Sequence, residues 1–105
     1  MTAQEDTRHG VSVELSAPGV SPESIERGFL VPIERRLMLV EGVRSITAMA
    51  TEGSGRVEIQ LEATADGATV LVDVGEAVQR IAPYLPQEAR TLVELLDDDS
   101  PTECG

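Results

Sequence analysis

The stretch Pro18–Val43, "PGVSPESIERGFLVPIERRLMLVEGV", decides how this chain folds. Ser21 suits the cap of a helix and Pro22 its first position, while Glu23 and Glu26 complement the positive end of its dipole. Ile25, Phe29, Ile33, Leu37 and Val40 recur at helical spacing, and Leu30 and Met38 widen the same apolar stripe. Gly42 stands where such a helix should end. Pro32 disturbs this pattern. It has no N–H to donate, and its ring crowds the carbonyl of Gly28 four residues earlier. The expectation is a bend or break near Phe29–Val31, with Ile33, Leu37 and Val40 still facing the sheet and Glu34 left on the surface.

Outward from this segment the periods change. Before it, Val11, Val13 and Leu15 alternate with Ser12, Glu14 and Ser16, which predicts a strand with one buried face. After it, a second strand is expected over Val43–Thr51. "EGSG" at Glu52–Gly55 predicts a turn whose glycines allow positive φ. Val57, Ile59 and Leu61 then alternate with Glu58, Gln60 and Glu62 as a third strand. Asp66 can cap a second helix running from Gly67 to about Tyr84, with Val70, Val74, Ala77, Val78 and Ile81 as its buried stripe. Leu85 and Pro86 close it, and a last short strand follows over Thr91–Leu96.

Strand, helix, strand, strand, helix, strand is the split βαβ order. It predicts an α+β, ferredoxin-like βαββαβ fold: a four-stranded antiparallel sheet with two helices on one face. The opposite face carries Ser, Glu and Gln and should be wet or covered by another protein part. The expected organisation is a disordered N-terminal segment over 1–10, one domain over 11–96, and an acidic disordered tail over 97–105.

Composition narrows the function classes. The chain has 105 residues, 41% of them hydrophobic, and Phe29 and Tyr84 are its aromatics, so its core is aliphatic. A formal net charge of −11 argues against nucleic acid or an anionic membrane as partner. Cys104 is the single cysteine, which excludes an intrachain disulfide. No apolar run approaches the roughly 20 residues of a membrane helix, and "MTAQEDTRHG" lacks a signal-peptide core, which predicts a chain with no direct membrane insertion and no export address of its own.

Catalytic chemistry is missing from the pattern. His9, the sole histidine, falls in the N-terminal segment and reads as incidental. "EGSG" has no lysine and no following helix to make a phosphate loop. Glu23, Glu26, Glu34 and Glu41 spread around a helix surface, where Arg27, Arg35 and Arg36 can pair with them locally. Asp97, Asp98 and Asp99 lack the spacing of a calcium loop, and Met38 and Met49 read as core or sheet residues rather than copper ligands. The expectation is a protein that is not an enzyme, with no catalytic, cofactor-binding or metal-binding residues.

Several motifs, each weak alone, resemble in order and spacing those of one family. They are "PG-S-P-IE" at Pro18–Glu26, "PIE" at Pro32–Glu34, "V-GV--I" at Val40–Ile46 and "G-G-V-I-L" at Gly53–Leu61. Asp66, "V-EAVQ" at Val74–Gln79 and "LP-EA" at Leu85–Ala89 complete the set. Together they resemble the first porter subdomain of the resistance-nodulation-division efflux transporters, proton-driven exporters of the inner membrane. The resemblance spans about Val11–Leu96 and implies the same βαββαβ fold. It also implies a periplasmic position and trimeric assembly in the parent transporter. In that assembly the second helix faces the three-fold axis, so its outer side, Thr69, Val72, Asp73 and Glu76, becomes the expected interaction face. Neighbouring transporter subdomains are the implied partners, and hydrophobic small molecules the implied cargo.

The chain also departs from the family: Leu61 stands where Phe is common, and the membrane helices that carry the proton relay are not represented. A structural and binding role, with no transport by this chain alone, is therefore expected. The alternative is a stand-alone, cytoplasmic ferredoxin-like module that self-associates or binds a small ligand, because the same architecture hosts many functions.

Overall fold

The structure, a computed structural model, describes residues 9–96. Its elements are β1 Gly10–Ser16, α1 Pro22–Ile25, a π-helical turn Glu26–Leu30, α2 Val31–Leu37, β2 Val43–Thr51, β3 Ser54–Leu61, α3 Gly67–Ile81, a short 3₁₀ turn Ala82–Tyr84, and β4 Arg90–Leu96. The strands form one antiparallel sheet in the order β2-β3-β1-β4. This is the ferredoxin-like arrangement that the element order predicts. The expected acidic tail and Cys104 lie outside the described residues.

Register explains the two faces of the sheet. Val13 pairs with Val57 on one side and Val93 on the other, while Val11 pairs with Ile59 and Leu95. Side chains two residues apart share a face. Val11, Val13, Leu15, Val57, Ile59 and Leu61 therefore point together into the core, each at most 3% exposed. The helices cover that face with Ile25, Phe29, Leu30, Ile33 and Leu37 from the first helical segment and Val70, Val74, Ala77, Val78 and Ile81 from α3. Burial of this apolar set is the main force holding the layers together.

The helical segment around Pro32 does not break. The Val31 N–H donates to the carbonyl of Glu26, five residues earlier, instead of four. The helix widens to a π turn just before Pro32 and then resumes as α2. The disturbance was expected over Phe29–Val31 and begins earlier, at Glu26, because the wider turn needs a full set of residues upstream of the proline.

Two other expectations need correction. Met38, placed in the buried stripe by spacing, is 72% exposed. The helix ends at Leu37, which is buried, and the next residue is turned about 100° away. Met49 is a sheet residue as expected, on the open face of β2 opposite Arg56, where it is exposed. Gly55 is not a turn residue: the turn is Glu52–Gly53, with Gly53 at φ 81°, and Gly55 lies within β3. A Cβ on Gly55 would stand 2.9 Å from Ile25 Cγ2, so its role is to let the first helical segment approach the sheet closely.

At the N-terminal side the domain begins earlier than expected. Gly10 is already in β1, and His9 Nε2 lies 3.1 Å from the carbonyl oxygen of Ala65. The His9 carbonyl accepts from the Leu61 N–H at 3.0 Å. Gly42, expected to end the first helix, lies beyond its end at Leu37, in the loop before β2, with φ 95°. That conformation suits glycine, and an added Cβ would approach Ala65 Cβ to 2.9 Å. The loop before β2 is thereby held against the start of α3.

Candidate functional site

The outer side of α3 is built from its N-terminus onward. Asp66 caps the helix from an extended conformation, its Oδ1 accepting from the Ala68 N–H at 3.2 Å. Its Oδ2 accepts from the Thr69 hydroxyl at 2.9 Å. Thr69, one of the residues expected to face a partner, is thus also committed to the cap.

The remaining three residues divide. Asp73 and Glu76 line a shallow cleft of about 300 Å³ between the helical layers, together with Arg36, Leu39, Glu41 and Arg80. Thr69 and Asp73 border an adjoining groove of about 270 Å³ beside Glu41, Gly42 and Ala65. Val72 lines neither and projects into solvent, 59% exposed. The structure therefore brings Thr69, Asp73 and Glu76 to the side facing the 39–42 loop and leaves Val72 free. Arg36, Leu39, Glu41 and Arg80 complete the cleft and were missed by sequence reasoning. Arg80 shares the helical spacing of Asp73 and Glu76, a signal that could have found it. The others come from a different element and carry no local signal.

The electrostatics of the surface are sparse. Among the described residues the ion pairs are those of Arg56, which holds Glu14 and, at 3.0 Å, Glu58 on the open sheet face. The partners are about half exposed, so this ladder contributes at most about 1 kcal/mol. The pairs expected between Glu23, Glu26, Glu34 or Glu41 and Arg27, Arg35 or Arg36 do not form among the described residues. Glu34, the carboxylate of "PIE", borders a groove of about 400 Å³ with Met38, Val43, Arg44, Ser45 and Ile46. No histidine or cysteine lines this groove. Among the described residues no cluster of His, Cys, Asp and Glu could hold a metal ion, and no helix is long and apolar enough to cross a membrane.

Against known proteins, the AcrB/AcrD/AcrF family profile matches residues 7–102. The multidrug resistance protein MdtC of Serratia proteamaculans (strain 568) is 33% identical over 76 residues, covering 72% of this chain and 7% of that protein. MdtC of Shigella flexneri is 32% identical over the same length. The chain therefore spans 7% of the length of these relatives. Among solved structures, a heavy metal efflux pump superposes with a TM-score of 0.74 at 19% identity, covering 86% of this chain and 9% of the pump chain. At that identity the superposition establishes the shared fold. The profile match over nearly the whole sequence goes further: the chain belongs to the AcrB/AcrD/AcrF family, the resistance-nodulation-division efflux transporters that its motifs resemble.

Proposed function

We propose that this chain acts as the first porter-type subdomain of a proton-driven efflux transporter. It forms part of the export conduit on the periplasmic side of the inner membrane and performs no transport by itself. Its role is structural and binding, not enzymatic. Neighbouring subdomains cover its open sheet face, and the outer side of α3 meets the same helix of two other copies around a three-fold axis. The observation that carries this reading is Val72, an apolar residue 59% exposed on a helix whose buried stripe is complete without it. The efflux pumps to which the chain is similar are described as acting on multiple drugs or on heavy metals, and its cargo belongs to one of these classes.

The test is a chimera in which residues 11–96 replace the matching segment of a cysteine-free MdtC-type relative, carrying Val72→Cys. Mild oxidation of membranes should yield cross-linked subunits at this position and none for Met49→Cys on the open sheet face. A chimera that restores drug resistance but never cross-links through Thr69, Val72 or Glu76 would refute the α3 assignment. A well-expressed, correctly inserted chimera without efflux would refute the transporter reading itself.

A second reading, a free-standing module that self-associates or takes a small ligand, draws on the exposed Met49 and Leu92 of the open sheet face. Thermal stabilisation of the chain by hydrophobic amines or dyes, lost on Leu92→Ser, would favour ligand binding at that face.

A further inference from the structure

One groove contains two opposite charges that pair with nothing among the described residues. It has a volume of about 400 Å³ and is lined by Glu34, Met38, Val43, Arg44, Ser45 and Ile46. Glu34 enters it from α2, half-buried. Its helical neighbours three and four residues away, Leu30, Val31, Leu37 and Met38, are all apolar, so α2 itself offers this carboxylate no cation. Arg44 comes from the other wall. The register between β2 and β3 shifts between Val43 and Ser45, which makes Arg44 the extra residue of a bulge. A bulge re-aims its side chain out of the regular ladder, and here Arg44 lines the groove instead. Neither the Glu34 carboxylate nor the Arg44 guanidinium makes an ion pair or hydrogen bond among the described residues.

We propose that this groove binds a small zwitterion with an apolar body, its ammonium toward Glu34 and its carboxylate toward Arg44. Met38, which is exposed, and the half-buried Val43 and Ile46 supply apolar surface for the body. The volume falls within the roughly 300–1,000 Å³ of small-molecule sites. Charge complementarity selects the class of ligand. A compound with an ammonium alone would meet Glu34 but lie in the same groove as the Arg44 guanidinium. A compound with a carboxylate alone would meet the reverse conflict. The formal charge of −11 on the chain also opposes anions, whereas a zwitterion carries no net charge to repel. Glu34 is the stronger anchor of the two, because a half-buried charge is screened less than an exposed one. The inference does not rest on α3. Absence of binding would leave the transporter proposal standing, and a chimera that never cross-links would leave the groove standing.

The test is a titration of the full chain with L-phenylalanine, followed by amide NMR spectra at about 0.15 M salt. Shifts should cluster at the groove residues Glu34, Met38 and 43–46, with a Kd on the order of 1 mM. Phenethylamine, which lacks the carboxylate, and hydrocinnamate, which lacks the ammonium, should each bind at least about fivefold more weakly. Glu34→Gln should remove the advantage of L-phenylalanine over hydrocinnamate, and Arg44→Gln its advantage over phenethylamine. Met38→Ser should weaken all three compounds alike, and the same spectra show whether each variant is folded. Saturable shifts elsewhere on the molecule, no shifts by about 10 mM, equal affinity for the three compounds, or binding that ignores Glu34→Gln and Arg44→Gln would overturn the proposal.

Discussion

The two helical segments that cover the sheet solve the same packing problem with different sequence spacing. In α3 the buried residues are Val70, Val74, Ala77, Val78 and Ile81, steps of three and four that keep pace with 3.6 residues per turn. In the first segment Leu30 is joined by Ile25, Phe29, Ile33 and Leu37, which make three successive steps of four. Each such step overshoots a full turn by about 40°, so an unbroken α-helix would rotate Leu37 about 120° away from Ile25. The π turn at Glu26–Leu30 absorbs an extra residue and rotates the stripe back by about 100°. All four side chains consequently reach the core, each no more than 2% exposed. Pro32 is one reason for the wide turn, and the four-residue spacing is a second, independent one.

The largest test of this contrast is Phe29→Ala. Phe29 follows the first step of four, is 1% exposed and is the one aromatic residue of the core. Its truncation should cost about 3–5 kcal/mol, a large fraction of the stability of a domain this size. Urea unfolding should show it, and a loss below about 1 kcal/mol would mean that the π turn does not place this side chain in the core. On the other helix, Asp66→Ala removes the carboxylate that accepts from Ala68 and Thr69. The expected cost is about 1 kcal/mol, seen as a fall in Tm of roughly 4–8 °C. An unchanged Tm would show that α3 is held by its buried stripe alone.

Pro32→Ala should have the smallest effect and be the most informative. If side-chain spacing sustains the π turn, the Val31 N–H stays bonded to the Glu26 carbonyl and stability changes by less than about 1 kcal/mol. Amide exchange together with a structure of the variant reads this directly. Reversion to an uninterrupted α-helix through Glu26–Val31 would assign the wide turn to the proline alone.

The same contrast shows what was legible and what was not. The α3 stripe was read correctly because alternating steps of three and four are unambiguous. The first segment was read as helical with a fault at the proline, but the fault's form and its second cause lay in the sum of the spacings. Met38 was misplaced for a related reason. Helical spacing put it in the buried stripe, yet the end of α2 at Leu37 turns it outward. Of the candidate face, Thr69, Val72, Asp73 and Glu76 lie outside the buried stripe of α3. Their division between a cleft and open solvent was not readable.

By itself the sequence determined the kind and order of the elements, the apolar face of each and the family to which they belong. Periodicity and motif spacing are local properties of the chain. Tertiary structure decided which element covers which: the order β2-β3-β1-β4, the close approach of Ile25 over Gly55, and the meeting of Arg36 and Glu41 with Asp73 and Glu76. It also decided which edge was left open. A local pattern fixes that a surface must be buried or can be left in water, but the partner that buries it is settled only when distant segments share one core.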